Sequence, residues 1–227
     1  MDQATFVLRS NYAIMRVVIF GATGFSGKAI LEEVLAQSHQ VTILVRNKSA
    51  VSLSHRNLTV IEGNVLDSTA VARALDHCDA VIQCLGVGGK GTGKPTTFVS
   101  DATRIIIDEM EKRQIRRLIA MSNVGAGDSA SFQPWFFSKI ILPYFMRWLK
   151  VIIDDKNRME ADIMGSSLDW TIVRCPNITG KTAKGSCSVT LDGRGLRLSV
   201  TLGDMARFMV GQLTDRSYLG KAPCITN

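Results

Sequence analysis

The chain has 227 residues, 46% hydrophobic and 21% charged, which favours a folded globular protein and argues against a disordered one. Its formal net charge of +7 is spread from Arg9 to Lys221, a distribution that favours small anionic ligands such as phosphates over nucleic acid. Five cysteines without CxxC spacing and three early histidines predict reduced thiols, a cytoplasmic location and no metal site.

The sequence predicts a single domain over residues 15–227, with substrate-side elements in residues 122–200, and an N-terminal extension over residues 1–14. The extension has neither a basic start nor a long apolar run, so a secretory signal is not expected. The most apolar segment, residues 134–153, contains three basic residues and Pro143. We therefore expect a buried or lid-like helical segment there, and no membrane span.

Short apolar runs alternate with segments of helical periodicity along the whole chain. In chain order the predicted elements are strand Arg16–Phe20, helix Phe25–Ala36, strands Val41–Val45 and Leu58–Glu62, helix Ser68–Leu75, strand Ala80–Leu85, helix Thr96–Arg113, strand Leu118–Met121, helix Val151–Met164, strand Trp170–Val173, a hairpin of Ser186–Leu191 with Leu196–Val200, and helix Leu202–Leu213. Ser68 or Asp67 is expected to cap the second helix, and Gly203 or Asp204 the last. This alternation predicts an α/β fold, a doubly wound Rossmann-type parallel sheet of about six or seven strands.

A glycine-rich segment, GATGFSG, joins the first predicted strand to the first helix. Glycines allow a tight turn and a close approach to a pyrophosphate, and a helix start offers free N–H groups to it. The alternative is a glycine turn without a ligand, but the strand–turn–helix context favours a dinucleotide. The expected contacts come from Gly21, Thr23, Gly24, Phe25, Ser26 and Gly27.

The second predicted strand ends at Val45 and is followed by Arg46. A site selective for NAD would place an acidic residue there for the ribose 2′-hydroxyl, whereas a guanidinium binds a 2′-phosphate. We therefore expect NADP(H) as the cofactor. The alternative is that Arg46 is merely solvated at the strand end.

Further cofactor contacts are expected where the other parallel strands end, because open α/β sheets bind ligands at that edge. Residues after the third strand would lie near the adenine, those after the fourth near the ribose, and those after the fifth and sixth near the nicotinamide. They are Asn64, Val65, Leu85, Gly86, Met121, Ser122, Asn123, Pro176, Asn177 and Ile178.

Together these residues resemble the atypical short-chain dehydrogenase/reductase superfamily, in its NAD(P)H-binding, NmrA-like branch. The segments that carry the resemblance are GATGFSG, LVR, GNVLD, the DK…ME helix, SSLDWTIVRCPNITG and VTLDGRG, from about Met15 to the C-terminus. VTLDGRG and DKNRM are most similar to the flavin reductase/biliverdin reductase B family. This resemblance implies a monomer or weak dimer that stacks a flavin or tetrapyrrole over the nicotinamide.

The catalytic candidates are Ser122, Asn123, Lys156 and Asn177. Dehydrogenases of the superfamily carry Tyr-x-x-x-Lys, but Ile152 stands four residues before Lys156. Asn123 and Asn177 stand where the resembled family has serine and histidine, and asparagine does not titrate near pH 7. Lys156 would contact the ribose or a substrate anion. Alternatively, the Asp154–Lys156 segment is a solvated helix start.

Two other features leave alternatives open. Arg174 either clamps an anionic group or pairs with a carboxylate. Aromatic residues of the segment 134–153 suit a flat ring system, core packing or a dimer surface. They are Trp135, Phe136, Phe137, Tyr144, Phe145 and Trp148.

We therefore expect an NADPH-dependent reductase that transfers hydride to a flavin or another flat conjugated acceptor, biliverdin included. The main alternative is a non-catalytic NADP-sensing regulator of the NmrA type, which the missing Tyr-Lys pair favours. A sugar or isoprenoid-type epimerase/reductase is a further alternative, against which the short C-terminal region argues.

Overall fold

The computed structural model describes residues 14–88, 93–132, 136, 140, 141, 144 and 146–227. The expected N-terminal extension therefore lies outside the described residues except for Ile14. Of the apolar segment 134–153, residues 134, 135, 137–139, 142, 143 and 145 lie outside them as well.

The first half of the chain alternates strands and helices as expected. Its elements are β1 (Arg16–Phe20), α1 (Phe25–Ala36), β2 (Gln40–Val45), β3 (Leu58–Glu62), α2 (Ser68–Ala74), β4 (Ala80–Gln83) and α3 (Phe98–Lys112). Asp67 caps α2 by accepting a hydrogen bond from the Thr69 N–H. A short 3-10 turn, Lys48–Ala50, follows β2.

The second half adds strands that the sequence pattern did not indicate. Its elements are β5 (Arg117–Asn123), α4 (Arg147–Met164), β6 (Asp169–Cys175), β7 (Asn177–Thr179), β8 (Ser188–Thr190), β9 (Ser199–Thr201), α5 (Leu202–Gly211) and β10 (Cys224–Thr226). A 3-10 helix, Gly127–Phe132, follows β5. Among the helices of the described residues, none combines the length and the apolar character needed to cross a membrane.

The main sheet confirms the expected Rossmann-type architecture. Within the described residues it has eight strands in the order β3-β2-β1-β4-β5-β6-β10-β8, and only the β8–β10 pair is antiparallel. One face packs on α1 and α5, and the other packs on α2, α3 and α4. The strand order reverses between β1 and β4, and the crevice at such a reversal is where doubly wound sheets bind dinucleotides.

The expected hairpin in the C-terminal third is wrong. The β8 strand pairs with β10, where Val189 faces Ile225, whereas β9 pairs with β7, where Val200 faces Ile178. Alternating side chains predicted strands here, but a three-residue strand carries too little pattern to define its partner. The strands β7 and β10 were missed for the same reason.

The expected cap of α5 is also wrong. Thr201 is the N-cap residue and accepts a hydrogen bond from the Asp204 N–H at 3.4 Å. Its hydroxyl in turn donates to the Asp204 carboxylate at 2.5 Å. Asp204 thus belongs to the first turn, where a carboxylate also interacts favourably with the helix dipole.

Candidate cofactor and substrate site

An open cleft with a volume of about 1300 Å³ lies along the carboxyl ends of the central parallel strands. It brings together most of the residues expected from the sequence. The expected residues that line it are Gly21, Thr23, Gly24, Phe25, Ser26, Arg46, Val65, Leu85, Gly86, Met121, Asn123, Lys156, Pro176, Asn177 and Ile178. Gly27, Asn64 and Ser122 do not line it.

The loop between β1 and α1 requires glycine at two positions. Gly21 has φ +91°, and a Cβ there would lie 2.7 Å from the Cys84 carbonyl oxygen. A Cβ on Gly27 would lie 2.0 Å from the Gly21 oxygen, so Gly27 supports the loop from beneath. At Gly24 the nearest atom to a Cβ is 3.4 Å away, which leaves the cleft side of the loop open.

The amino end of α1 is left without an internal acceptor. Gly24 is its N-cap residue and supplies no side-chain cap, and the first turn contains no acidic residue. Its free N–H groups and the positive end of the helix dipole therefore suit an anion. Together with the close-packed glycines, this arrangement fits a dinucleotide pyrophosphate.

A smaller recess of about 440 Å³ adjoins the cleft at the ends of β2 and β3. It is lined by Arg46, Glu62, Gly63 and Asn64, and Arg46 and Gly63 also line the cleft. The Gly63 N–H donates to the Val45 oxygen at 2.9 Å, which fixes the two strand ends side by side. Asn64 turns its side-chain oxygen to the Leu66 N–H at 3.0 Å, so Asn64 shapes the recess and not the main cleft.

Lys156 is buried, with 3% of its surface exposed, and reaches the floor of the cleft from α4. Its ammonium donates to the Leu85 oxygen at 3.1 Å and to the Met121 oxygen at 2.7 Å. It thereby joins the ends of β4 and β5. Burial lowers the pKa of Lys156 to about 8, because desolvation disfavours the charged ammonium.

The expectation that Asp154–Lys156 could form a solvated helix start is wrong, because α4 begins at Arg147. Asp155 is 1% exposed and accepts hydrogen bonds from the Val99 N–H at 2.9 Å and the Ser100 N–H at 3.2 Å. The Ser100 hydroxyl donates to it at 2.7 Å. The carboxylate of Asp155, which belongs to α4, therefore caps α3. The next residue of α4, Lys156, lies at the cleft.

Of the two roles expected for Arg174, clamping an anionic group or pairing with a carboxylate, the structure shows the second. Its guanidinium forms a bidentate bond to Glu160 at 3.1 and 2.6 Å and reaches Asp128 at 2.5 Å. Gly127 lies directly against this pair, since a Cβ there would be 2.3 Å from the Arg174 Nη2. The network fixes the segment after β5, of which Val124 and Phe132 line the cleft.

The three polar candidates at the sheet edge differ in access. Ser122 is 2% exposed and its hydroxyl has no hydrogen-bond partner in the described structure, so it is withdrawn from the cleft. Asn123 and Asn177 line the cleft from β5 and β7. Both residues therefore border space that a ligand can enter.

The far end of the cleft has apolar walls, of which the sequence analysis singled out only Trp148 as a possible ligand contact. One wall comes from the 3-10 helix after β5 and the start of α4, and the other from the loop before β9. The apolar residues are Phe132, Met146, Trp148, Leu149, Ile152, Leu196 and Leu198, and Arg197 lines the cleft between the last two. The other wall residues come from segments that approach each other only in the folded chain, so no local sequence signal marks them.

The aromatic group expected near the pocket is only partly described. Trp148 lines the cleft. Phe136 and Tyr144 are exposed and do not line it. Trp135, Phe137 and Phe145 lie outside the described residues.

The cleft holds few groups that can exchange a proton near neutral pH. Its described lining contains no tyrosine, histidine or carboxylate, and Ile152 stands where a Tyr-x-x-x-Lys pair would have its tyrosine. Burial raises the pKa of the Cys84 thiol to about 12 and raises that of Cys175 as well. Lys156 is thus the one described lining side chain whose pKa lies near the physiological range.

The chain is similar to known proteins over most of its length. A family model described as NAD(P)H-binding matches residues 21–216. The photosystem II assembly factor Ycf39 of Synechocystis sp. is 27% identical over 162 residues, covering 70% of this chain and 44% of that protein. The chain thus spans under half the length of that relative.

Two solved structures share the fold. A candidate NAD-dependent epimerase/dehydratase of Bacillus halodurans superimposes with a TM-score of 0.77 at 24% identity, covering 94% of both chains. ChuY, an anaerobillin reductase of Escherichia coli O157:H7, gives a TM-score of 0.75 at 23% identity, covering 93% of this chain and 96% of that one.

Proposed function

Since this chain belongs to the NAD(P)H-binding family, we propose that it is an NADPH-dependent reductase of flavin-like or other flat conjugated acceptors. The observation that carries the proposal is the two-ended cleft. One end offers a glycine loop and a free helix start, and the other offers apolar walls. Such walls suit a flat ring and exclude water from the reacting face.

The cofactor end is assigned from the polar groups around it. The Gly21–Gly27 loop and the amino end of α1 hold the pyrophosphate, and Arg46 binds a 2′-phosphate. Val65 packs near the adenine, and Leu85 with Gly86 lies near the ribose. Met121, Pro176 and Ile178 line the cleft towards the nicotinamide.

Lys156 has a positioning role in this proposal. Its ammonium is engaged by the two strand-end carbonyls, so it keeps the floor of the cleft rigid beneath the cofactor. Rigid positioning matters because small misplacements of a donor and an acceptor lower the rate of transfer steeply.

The acceptor end relies on orientation and not on a proton donor. A bound NADPH supplies the hydride. Asn123 and Asn177 then hold the acceptor by hydrogen bonds, and solvent supplies the proton to a flavin. Ser122 has no part in this site because its hydroxyl is buried.

The proposal is tested by NADPH oxidation with added FMN, FAD, biliverdin or simple quinones. We expect turnover that depends on the acceptor, and faster turnover of flavin than of biliverdin. Asn123→Ala or Asn177→Ala should slow turnover about 3- to 30-fold, since each removes one neutral hydrogen bond. Asn57→Ala, which changes an asparagine that does not line the cleft, should leave the rate unchanged.

Failure of every acceptor to raise NADPH oxidation above background would refute the reductase proposal. A second candidate function would then hold, a non-catalytic NADP-sensing regulator. The missing tyrosine and the buried Ser122 favour such a regulator. The similarity to Ycf39, which is named as a photosystem II assembly factor, favours it as well. On either function, the proposed state in solution is a monomer or weak dimer.

A further inference from the structure

The recess beside Arg46 contains a carboxylate as well as a guanidinium. Glu62 is the last residue of β3, and it lines the recess together with Arg46, Gly63 and Asn64. Val45 is paired with Glu62 in the sheet register, so Arg46 and Gly63 follow paired positions on neighbouring strands. Two opposite charges therefore border one small volume at the end of the cleft where the adenosine half of the cofactor is placed.

The carboxylate of Glu62 is engaged by a neutral donor. Its Oε2 accepts a hydrogen bond from the Lys48 N–H at 3.0 Å. The nearby Arg73 donates to the main-chain oxygen of Glu62, at 3.4 Å, and not to the carboxylate. In the described part of the chain Glu62 forms no ion pair, with Arg46 or with any other cation.

We propose that Glu62 is a second determinant of cofactor choice, which weakens binding of the 2′-phosphate and so narrows the preference of this site for NADPH over NADH. The inference rests on the proposed cofactor placement at Arg46. Arg46 attracts a 2′-phosphate, whereas Glu62 repels it across the same recess. An unphosphorylated ribose carries no charge for Glu62 to repel, so the carboxylate lowers the affinity for NADPH and leaves that for NADH nearly unchanged.

The substitution Glu62→Gln separates charge from shape. Glutamine keeps an oxygen that can accept from the Lys48 N–H, so the turn after β2 is retained while the negative charge is removed. The position is exposed at a strand end, where an isosteric change leaves the fold intact. Glu32→Gln is the matched control, because Glu32 is exposed on α1 and lines neither the cleft nor the recess.

The experiment measures dissociation constants of NADPH and NADH for wild type, E62Q, E32Q and Arg46→Ala by fluorescence titration at low and high salt. E62Q should bind NADPH about 3- to 10-fold more tightly and NADH within about twofold of wild type, as expected for one charge removed near a phosphate. E32Q should change neither constant, and Arg46→Ala should weaken NADPH alone. The gain in E62Q should shrink at high salt.

The outcomes separate the inference from the proposed function. An unchanged or weakened affinity of E62Q for NADPH, or an equal gain for both nucleotides, would overturn the role of Glu62 while leaving the reductase proposal intact. Absence of binding of either nucleotide to the wild type would overturn both.

Discussion

The titration of Lys156, a residue at the floor of the cleft, makes the stability of the whole protein depend on pH. Burial lowers the pKa of this side chain from 10.5 to about 8. Between pH 8 and 10.5 the unfolded chain therefore binds a proton that the folded chain has lost, so stability rises with pH in that window. The shift corresponds to about 3 kcal/mol, at 1.36 kcal/mol per pKa unit.

Lys156→Met removes this titration while keeping most of the side-chain volume. We expect the free energy of unfolding of wild type, relative to the variant, to increase by up to about 3 kcal/mol between pH 7 and pH 10.5. Urea denaturation of both proteins across that range measures the difference, and groups common to both cancel. If the stabilities of the two proteins changed in parallel with pH, the ammonium would not be desolvated, contrary to what its buried position between two carbonyls indicates.

At the scale of elements, α3 and α4 are joined by a cap that comes from a neighbouring helix. Asp155 accepts two main-chain hydrogen bonds and one hydroxyl at the start of α3. Asp155→Asn keeps the shape but turns one acceptor into a donor, so we expect a loss of about 1–3 kcal/mol in the free energy of unfolding. Asp101→Asn, a change at a more exposed acid in the same first turn, should cost under about 1 kcal/mol.

Equal losses from the two substitutions, measured by chemical denaturation, would contradict the interhelical cap. Sequence periodicity gave no sign of this contact, because Asp155 and Ser100 are 55 positions apart. A cap contributed by another helix is a tertiary feature, and local preference points only to neighbours in sequence.

The long apolar strands were predictable where the small ones were not. The five-residue run of β1 is buried on both faces of the sheet from Val17 to Phe20, and such runs alternate with helices only in parallel sheets. By contrast, β8 and β9 have three residues each and pair with strands that come from elsewhere in the chain. Their glycine-containing connection favoured a hairpin locally, and tertiary pairing overrode that preference.

The residues of the candidate site likewise fall into those that local sequence predicted and those that it did not. The glycine loop and Arg46 follow predicted strands directly, so the known binding edge of a parallel sheet predicted a shared cleft for them, and they line one. Ser122 was misplaced because side chains alternate along β5, and its neighbours Met121 and Asn123 line the cleft instead. The apolar wall from Phe132 and Leu196 depends on loops meeting in space, which no local pattern contains.

For the molecule as a whole, cofactor binding should appear as thermal stability. NADPH at about 100 times its dissociation constant adds about 2.7 kcal/mol to folding, or about 5–10 °C in Tm for a chain of this size. Gly24→Val should fold, since a Cβ there meets its nearest atom at 3.4 Å, yet it should lose the NADPH-induced shift because the side chain enters the phosphate space.

Gly27→Ala should behave in the opposite way and lower the Tm before any ligand is added, because its Cβ would lie 2.0 Å from the Gly21 oxygen. Differential scanning fluorimetry of the three proteins with and without NADPH distinguishes the two effects. A full NADPH-induced shift in Gly24→Val would place the pyrophosphate elsewhere.

The position of β10 has a consequence for the order in which the protein is built. This strand, residues 224–226, lies between β6 and β8, although it follows both in sequence. During synthesis the strands from β1 to β6 can pair as they emerge from the ribosome, but β8 has no place in the sheet until β10 has emerged. The sheet edge next to β6 therefore stays unpaired until β10 has emerged, and an unpaired edge is where a nascent chain is most exposed to association with other chains.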